Sequence, residues 1–131
     1  IGSYKKMTEL FGFKRFGEHK KWMSESVYEQ SCLEVENLIK VLKNKKINLC
    51  FITTPNYTFI SQHFKTRILQ KNKKFVDEMC QKYSCTYLNY QDDNRFEIQD
   101  FADCDHLNYM GAEKFSTVLN KDLMKILKKE E

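Results

Sequence analysis

No apolar run in the 131 residues approaches the roughly 20 residues that a bilayer-spanning helix requires, and the first residues lack the charged-then-apolar plan of a secretory signal. These residues are therefore not expected to cross a membrane. No pair of cysteines has the C-x-x-C spacing, and the five present (Cys32, Cys50, Cys80, Cys85 and Cys104) are odd in number. Both facts argue against a disulfide framework and against a zinc site. Cys32, Cys50 and Cys80 fall on apolar faces, where a thiol serves as a small hydrophobe. Glycine is scarce, and three of the four glycines lie in the first two dozen residues, which show no clear period. That stretch reads as an irregular segment over 1–26. No clustered basic stripe is present: the net charge of +4 comes from lysines spread along the chain, as at Lys20-Lys21, Lys43-Lys45-Lys46 and Lys71-Lys73-Lys74. Such lysines suit solvated helix faces, and nucleic acid is not an expected partner.

What is present fits one soluble α/β domain, with 41% hydrophobic and 31% charged residues. From about Val27 to Lys46 the apolar positions Val35, Leu38, Ile39 and Leu42 recur at helical spacing. Asn48-Leu49-Cys50-Phe51-Ile52-Thr53 is a short β-rich run closed by Thr54-Pro55, and it predicts a strand buried on both faces. A loop begins at the proline. Its Asn56-Tyr57-Thr58 spells a glycosylation sequon, but three letters alone carry little weight. A second helix is expected over about 65–83, with Ile68, Leu69, Phe75, Val76, Met79 and Cys80 facing inward. Thr86-Tyr87-Leu88-Asn89-Tyr90 predicts the second strand, and Asp92-Asp93-Asn94 the turn after it. The last helix spans about 109–128 with Asn108 as its N-cap.

The order helix, strand, helix, strand, helix implies parallel strands joined by crossovers. Two strands with three helices leave a sheet edge and much apolar surface uncovered. Sheet partners are accordingly expected upstream in the native chain, which here starts at Ile1 rather than Met, or on a second copy paired edge to edge.

The most informative stretch is Asp103-Cys104-Asp105-His106-Leu107-Asn108, directly ahead of the final amphipathic helix. A carboxylate three residues before a histidine on a tight turn can hold the imidazole in one tautomer while its other nitrogen accepts a proton. Cys104 beside it raises a Cys-His pair, ranked lower because adjacent side chains tend to point apart. Together with Phe101-Ala102 before it and Gly111-Ala112-Glu113-Lys114-Phe115-Ser116 after it, the stretch resembles the last conserved block, D-x-x-H, of the SGNH, or GDSL-type, hydrolases and acyltransferases.

The resemblance covers roughly the last 85 residues, with its specific part in the final 15 or so. It implies a three-layer α/β/α, flavodoxin-like domain with a parallel sheet, of which this chain would be the C-terminal half. It also implies that His106 is the general base of ester hydrolysis or transfer and Asp103 its orienting carboxylate, with Asp105 and Asp100 as nearby alternatives. Tyr57, Phe59 and Tyr109 would line the substrate cleft, because loops after strand ends form the active face of open α/β sheets. An ester or acylated glycan is the implied substrate, and no cofactor or metal is expected.

The family's Gly-Asp-Ser block, which brings the nucleophile, does not occur, and Ile1-Gly2-Ser3-Tyr4 cannot stand in for it without a preceding strand. The Gly and Gly-x-Asn-Asp blocks that complete the oxyanion hole are also missing. The chain alone is therefore expected to be inactive, and the alternative is a short non-catalytic module that binds or assembles through its open sheet edge. His19 and His63 lie in polar surroundings and read as solvent-facing, while Trp22 and Tyr28, beside a helix start, read as packing. Localisation, acyl group and acceptor are left open.

Overall fold

A computed structural model describes residues 24–57, 67–103 and 105–128, with the side chains of residues 67 and 68 outside the description. The irregular N-terminal segment therefore falls outside the described residues up to position 23. So do Cys104, His19, His63, Phe59 and Trp22.

Helix α1 runs Glu25–Asn44 and starts two residues earlier than its periodicity suggests, because Ser24 is its N-cap and accepts a hydrogen bond from the Val27 amide at 3.3 Å. The irregular segment expected to reach residue 26 thus yields its last two residues to the helix. Strand β1 is Cys50–Thr53, helix α2 is Arg67–Tyr83, strand β2 is Thr86–Asn89, and helix α3 is Tyr109–Leu127. The two strands pair in parallel, Cys50 opposite Thr86 through Thr53 opposite Asn89. The alternation of helices with parallel strands is that of an α/β fold.

Helices α1 and α2 both end in a Schellman motif, where a left-handed residue turns the chain back over the last turn. In α1 that residue is Lys46 (φ 56°), and the Ile47 amide bonds the Leu42 carbonyl at 2.9 Å. In α2 it is Ser84 (φ 51°), and the Cys85 amide bonds the Cys80 carbonyl at 3.2 Å. Each non-glycine residue in this conformation costs about 1 kcal/mol, offset by the carbonyls the motif satisfies. The sharp reversals explain how strands can follow the helices after only a few residues.

Packing bears out part of the expected inner faces. Ile39 is fully buried and Met79 nearly so. Leu38, counted on the inner face of α1, is instead 55% exposed, as it lies about 100° around the helix from Ile39. Strand β1 is not buried on both faces among the described residues: Ile52 is 40% exposed, because its face of the two-stranded sheet is only partly covered. A second cluster forms beyond β2, where the Phe115 ring of α3 meets Tyr90 edge-on at 5.2 Å and Phe96 at 6.0 Å. Tyr90 also donates its hydroxyl to Asp122 at 3.0 Å; burial and that bond push the phenol up to about 12, so it stays protonated.

The carboxyl ends of the strands tie the two parts together. The Tyr90 amide bonds the Thr53 carbonyl at 3.0 Å, and the Asn56 amide bonds the Gln91 carbonyl at 3.2 Å. Between them Pro55 is fully buried, and Tyr57 lays its ring 6.0 Å from that of Phe101. The segment carrying Asp103 and His106 is in this way seated beyond the C-terminal end of β1.

Candidate Asp-His site

A short 3-10 turn, Ile98–Asp100, opens the segment. Its Asp100 is buried, with a carboxylate that accepts from the Glu97 amide at 2.9 Å and from the Lys114 ammonium at 2.6 Å. Burial pushes this carboxyl up, but the two hydrogen bonds and the Lys114 charge outweigh it and hold the group below the usual carboxylate range. Asp100 is therefore spent on fastening the turn to α3, which removes it as an alternative partner for His106.

Asn108 fixes the other end. Its side-chain oxygen caps α3 by accepting from the Gly111 amide at 3.0 Å, as its position before the helix predicts. Its side-chain nitrogen, which no sequence signal announced, donates back to the carbonyls of Gln99 at 2.6 Å and Phe101 at 3.3 Å. The Asn108 amide also bonds the Asp100 carbonyl at 2.9 Å. Gly111 makes this close approach possible: a β-carbon there would sit 2.0 Å from the Asp100 carbonyl oxygen. The glycine in the family-like block is thus required by packing of backbone on backbone.

Between these anchors the chain forms a narrow loop. Phe101, fully buried, bridges Leu107 in antiparallel fashion, and the Ala102 amide bonds the His106 carbonyl at 2.8 Å. At the tip, Asp103 Oδ1 accepts from the backbone amides of Asp105 at 3.0 Å and His106 at 2.8 Å. An aspartate side chain organising its own turn is a local, sequence-encoded device.

The same carboxylate meets the imidazole. His106 Nδ1 lies 3.0 Å from Oδ1 and 2.9 Å from Oδ2 of Asp103, with Asp105 Oδ1 at 3.4 Å. Burial raises the Asp103 carboxyl, but the His106 ring, the two backbone amides and the Asp105 side chain together pull it down to about 2. An ionised carboxylate can only accept, so in the neutral ring the hydrogen sits on Nδ1 and the lone pair on Nε2. The His106 side chain is 56% exposed, which leaves Nε2 open to an incoming group. Among the described residues no hydroxyl is hydrogen-bonded to that nitrogen.

The expected cleft residues are placed unequally. Tyr57 is half-buried against Phe101, two positions before Asp103, and reaches the site through that contact. Tyr109 opens α3 three positions after His106 and is 83% exposed, so it stands at the rim with no described wall opposite it. Asp103, Asp105 and His106 offer ligand atoms within 4.8 Å of one another, a set of hard oxygens and an imidazole that would suit a divalent cation. An ion bound there would have to displace the Nδ1 proton and compete with the two backbone amides that Asp103 already accepts from, and we assign none.

An apolar cavity of about 400 Å3 lies elsewhere, between α1, α2 and β1, lined by Val27, Tyr28, Val35, Phe51, Phe75 and Val76. Apolar concavities are common ligand sites. Among the described residues its wall carries no carboxylate or imidazole, and its polar groups include the Cys32 thiol, Ser24, Ser31 and Asn72. Tyr28 serves there as packing, with Lys71 5.1 Å above its ring. No family model, curated protein or solved structure matches the chain.

Proposed function

We propose that this chain supplies the Asp-His half of a serine-dependent ester hydrolase or O-acyltransferase of the SGNH type, acting on carboxylic, acetyl-type esters. The observation that carries the reading is the two-oxygen contact of Asp103 on His106 Nδ1, which presents Nε2 as a proton acceptor at the carboxyl end of a parallel sheet. In this reading His106 takes the proton of the attacking serine hydroxyl and returns it to the leaving alcohol. Asp103 orients the ring and stabilises the imidazolium. The serine and the oxyanion donors come from residues outside this sequence, within a three-layer α/β/α, flavodoxin-like domain whose further strands extend the β1–β2 sheet. Tyr57 and Tyr109 flank the acyl or alcohol portion of the substrate.

The test is to read the encoding gene upstream of the Ile1 codon and assay the complete product on acetyl esters. An in-frame strand followed by Gly-Asp-Ser, with ester cleavage abolished by His106→Ala, supports the reading. A start codon immediately upstream overturns it.

One observation favours a second reading, a non-catalytic assembly module: the described sheet has only two strands, and Ile52 on β1 is substantially exposed. Pairing of open edges between two copies would extend the sheet and bring the second copy's helices toward that face. Sedimentation equilibrium showing a stable dimer that Ile52→Lys dissociates, with no esterase activity in the complete product, would favour that module.

A further inference from the structure

The two Schellman motifs differ in what occupies their contact pair. The motif brings together the side chains three residues inside the helix and two residues beyond its end, ordinarily as an apolar contact. In α1 these are Leu42 and Ile47, a conventional pair. In α2 they are Cys80 and Cys85, both half-buried and both free thiols. One carbonyl and one amide, joined at 3.2 Å, separate their α-carbons. That places the pair within disulfide reach, which is roughly 4.4–6.8 Å between α-carbons. The Cys85 thiol donates to the Tyr83 carbonyl oxygen at 3.9 Å, a long contact that it would give up on oxidation.

We propose that Cys80 and Cys85 form a reversible intrachain disulfide when the protein meets a small oxidising disulfide such as glutathione disulfide. One cysteine thiolate attacks the glutathione disulfide, its S–S bond breaks, and one glutathione leaves as a thiolate that takes up a proton. The second cysteine, deprotonated to solvent, then attacks the mixed disulfide and expels the second glutathione. Two electrons pass from the protein sulfurs to the glutathione disulfide, giving one protein disulfide and two glutathione thiols. The product closes the chain over a six-residue stretch, Cys80 to Cys85, and locks the C-terminus of α2 to the start of β2. Burial pushes the Cys80 thiol up, with Cys85, the Asp77 carboxylate and Cys50 adding to the shift, so the reaction quickens as pH rises.

The experiment treats the full reduced chain with glutathione disulfide at mildly alkaline pH, blocks remaining thiols with iodoacetamide and digests with trypsin. Cleavage after Lys82 puts the two cysteines on separate peptides, 75–82 and 83–95, which stay joined only through their sulfurs. The expected product is this linked pair as the main oxidised species, absent from Cys80→Ser and Cys85→Ser and retained in Cys50→Ser. Subsequent dithiothreitol should separate the peptides. Persistent glutathione adducts without the linked pair, or a dominant link to Cys32, Cys50 or Cys104, would overturn the proposal.

Discussion

The described residues within 24–90 and within 91–128 both bury apolar side chains, Ile39 and Met79 in the first and Phe96 and Phe101 in the second. They differ in how much polar bonding adds to that burial. The first stretch is a helix–strand scaffold fastened by apolar spacing, with Ile39 and Met79 at its centre and many apolar side chains half-exposed around them. In the second, backbone and polar side chains clamp one another: Asp100 on Lys114 and Glu97, Asn108 on Gln99, Phe101 and Gly111, and Asp103 on its own turn. Apolar packing tolerates exchange of one hydrophobe for another of similar volume, whereas a hydrogen-bond clamp depends on atom identity. The candidate chemistry sits in the clamp, where an imidazole can be held in one tautomer.

The clamp is least tolerant of change at Gly111. Alanine there meets backbone rather than a yielding side chain, so α3 must move off the Asp100 carbonyl. Gly111→Ala should cost about 3–5 kcal/mol, at the upper end of single-residue effects. Urea unfolding would show this as a markedly lower midpoint, and the prediction fails if the midpoint is unchanged.

The scaffold supplies the next largest effect and an internal control. Ile39→Ala removes a fully buried side chain and should cost about 2–4 kcal/mol, while its exposed neighbour Leu38→Ala should stay within about 0.5 kcal/mol. Comparable losses for both in the same unfolding measurement would mean that Leu38 is covered in solution, as its helical spacing first suggested.

Asp103→Asn sharpens the comparison inside the clamp. The amide oxygen can still accept from the Asp105 and His106 backbone amides, so the turn should survive, whereas the carboxylate that fixes Nδ1–H is gone. Stability should fall by about 1 kcal/mol or less, as for a charge-assisted bond at a partly exposed site. On the proposed reading, the same change in the complete gene product should lower kcat for ester cleavage far more than it raises KM. Acid provides a milder version. The Asp103 carboxyl is depressed to about 2 in the folded chain, against an ordinary value of about 3.9 unfolded. Its contribution is therefore present above about pH 4 and disappears as pH falls toward 2. Wild type should lose more stability than Asp103→Asn across that window, and parallel acid profiles would contradict this.

Smaller still are the exposed pairs along α2. Lys73 and Asp77 meet at 2.6 Å with both side chains about half-exposed, so solvent screens the pair and Lys73→Ala should leave the urea midpoint close to that of wild type. A larger loss would show that surface charge, and not the buried residues, holds the scaffold.

Much of the scaffold was legible because helical and strand periods are written one residue at a time. The helix at 109–128 with Asn108 as its cap, the second strand at 86–90 and the parallel order all reappear within a residue or two. Leu38 and Ile52 depart from expectation because burial depends on which elements face a strand or helix, and that information is non-local. In the site, Asp103 and His106 were legible because an aspartate that accepts from amides two and three residues ahead makes its own turn. Asp100–Lys114 and the inward reach of Asn108 were not, since both depend on how α3 returns over the 3-10 turn. Gly111 was noticed as a letter in a pattern, and its reason emerged only from the proximity of the Asp100 carbonyl.

Asp103 holds the neutral His106 ring with its proton on Nδ1 and its lone pair on Nε2. Long-range proton–nitrogen NMR correlation of the imidazole, recorded at a pH where the ring is neutral, reads this directly. A protonated, pyrrole-type Nδ1 and an unprotonated Nε2 are expected in the wild-type chain, with that preference lost in Asp103→Ala. A protonated Nε2 in the wild type would contradict it and remove His106 as a base.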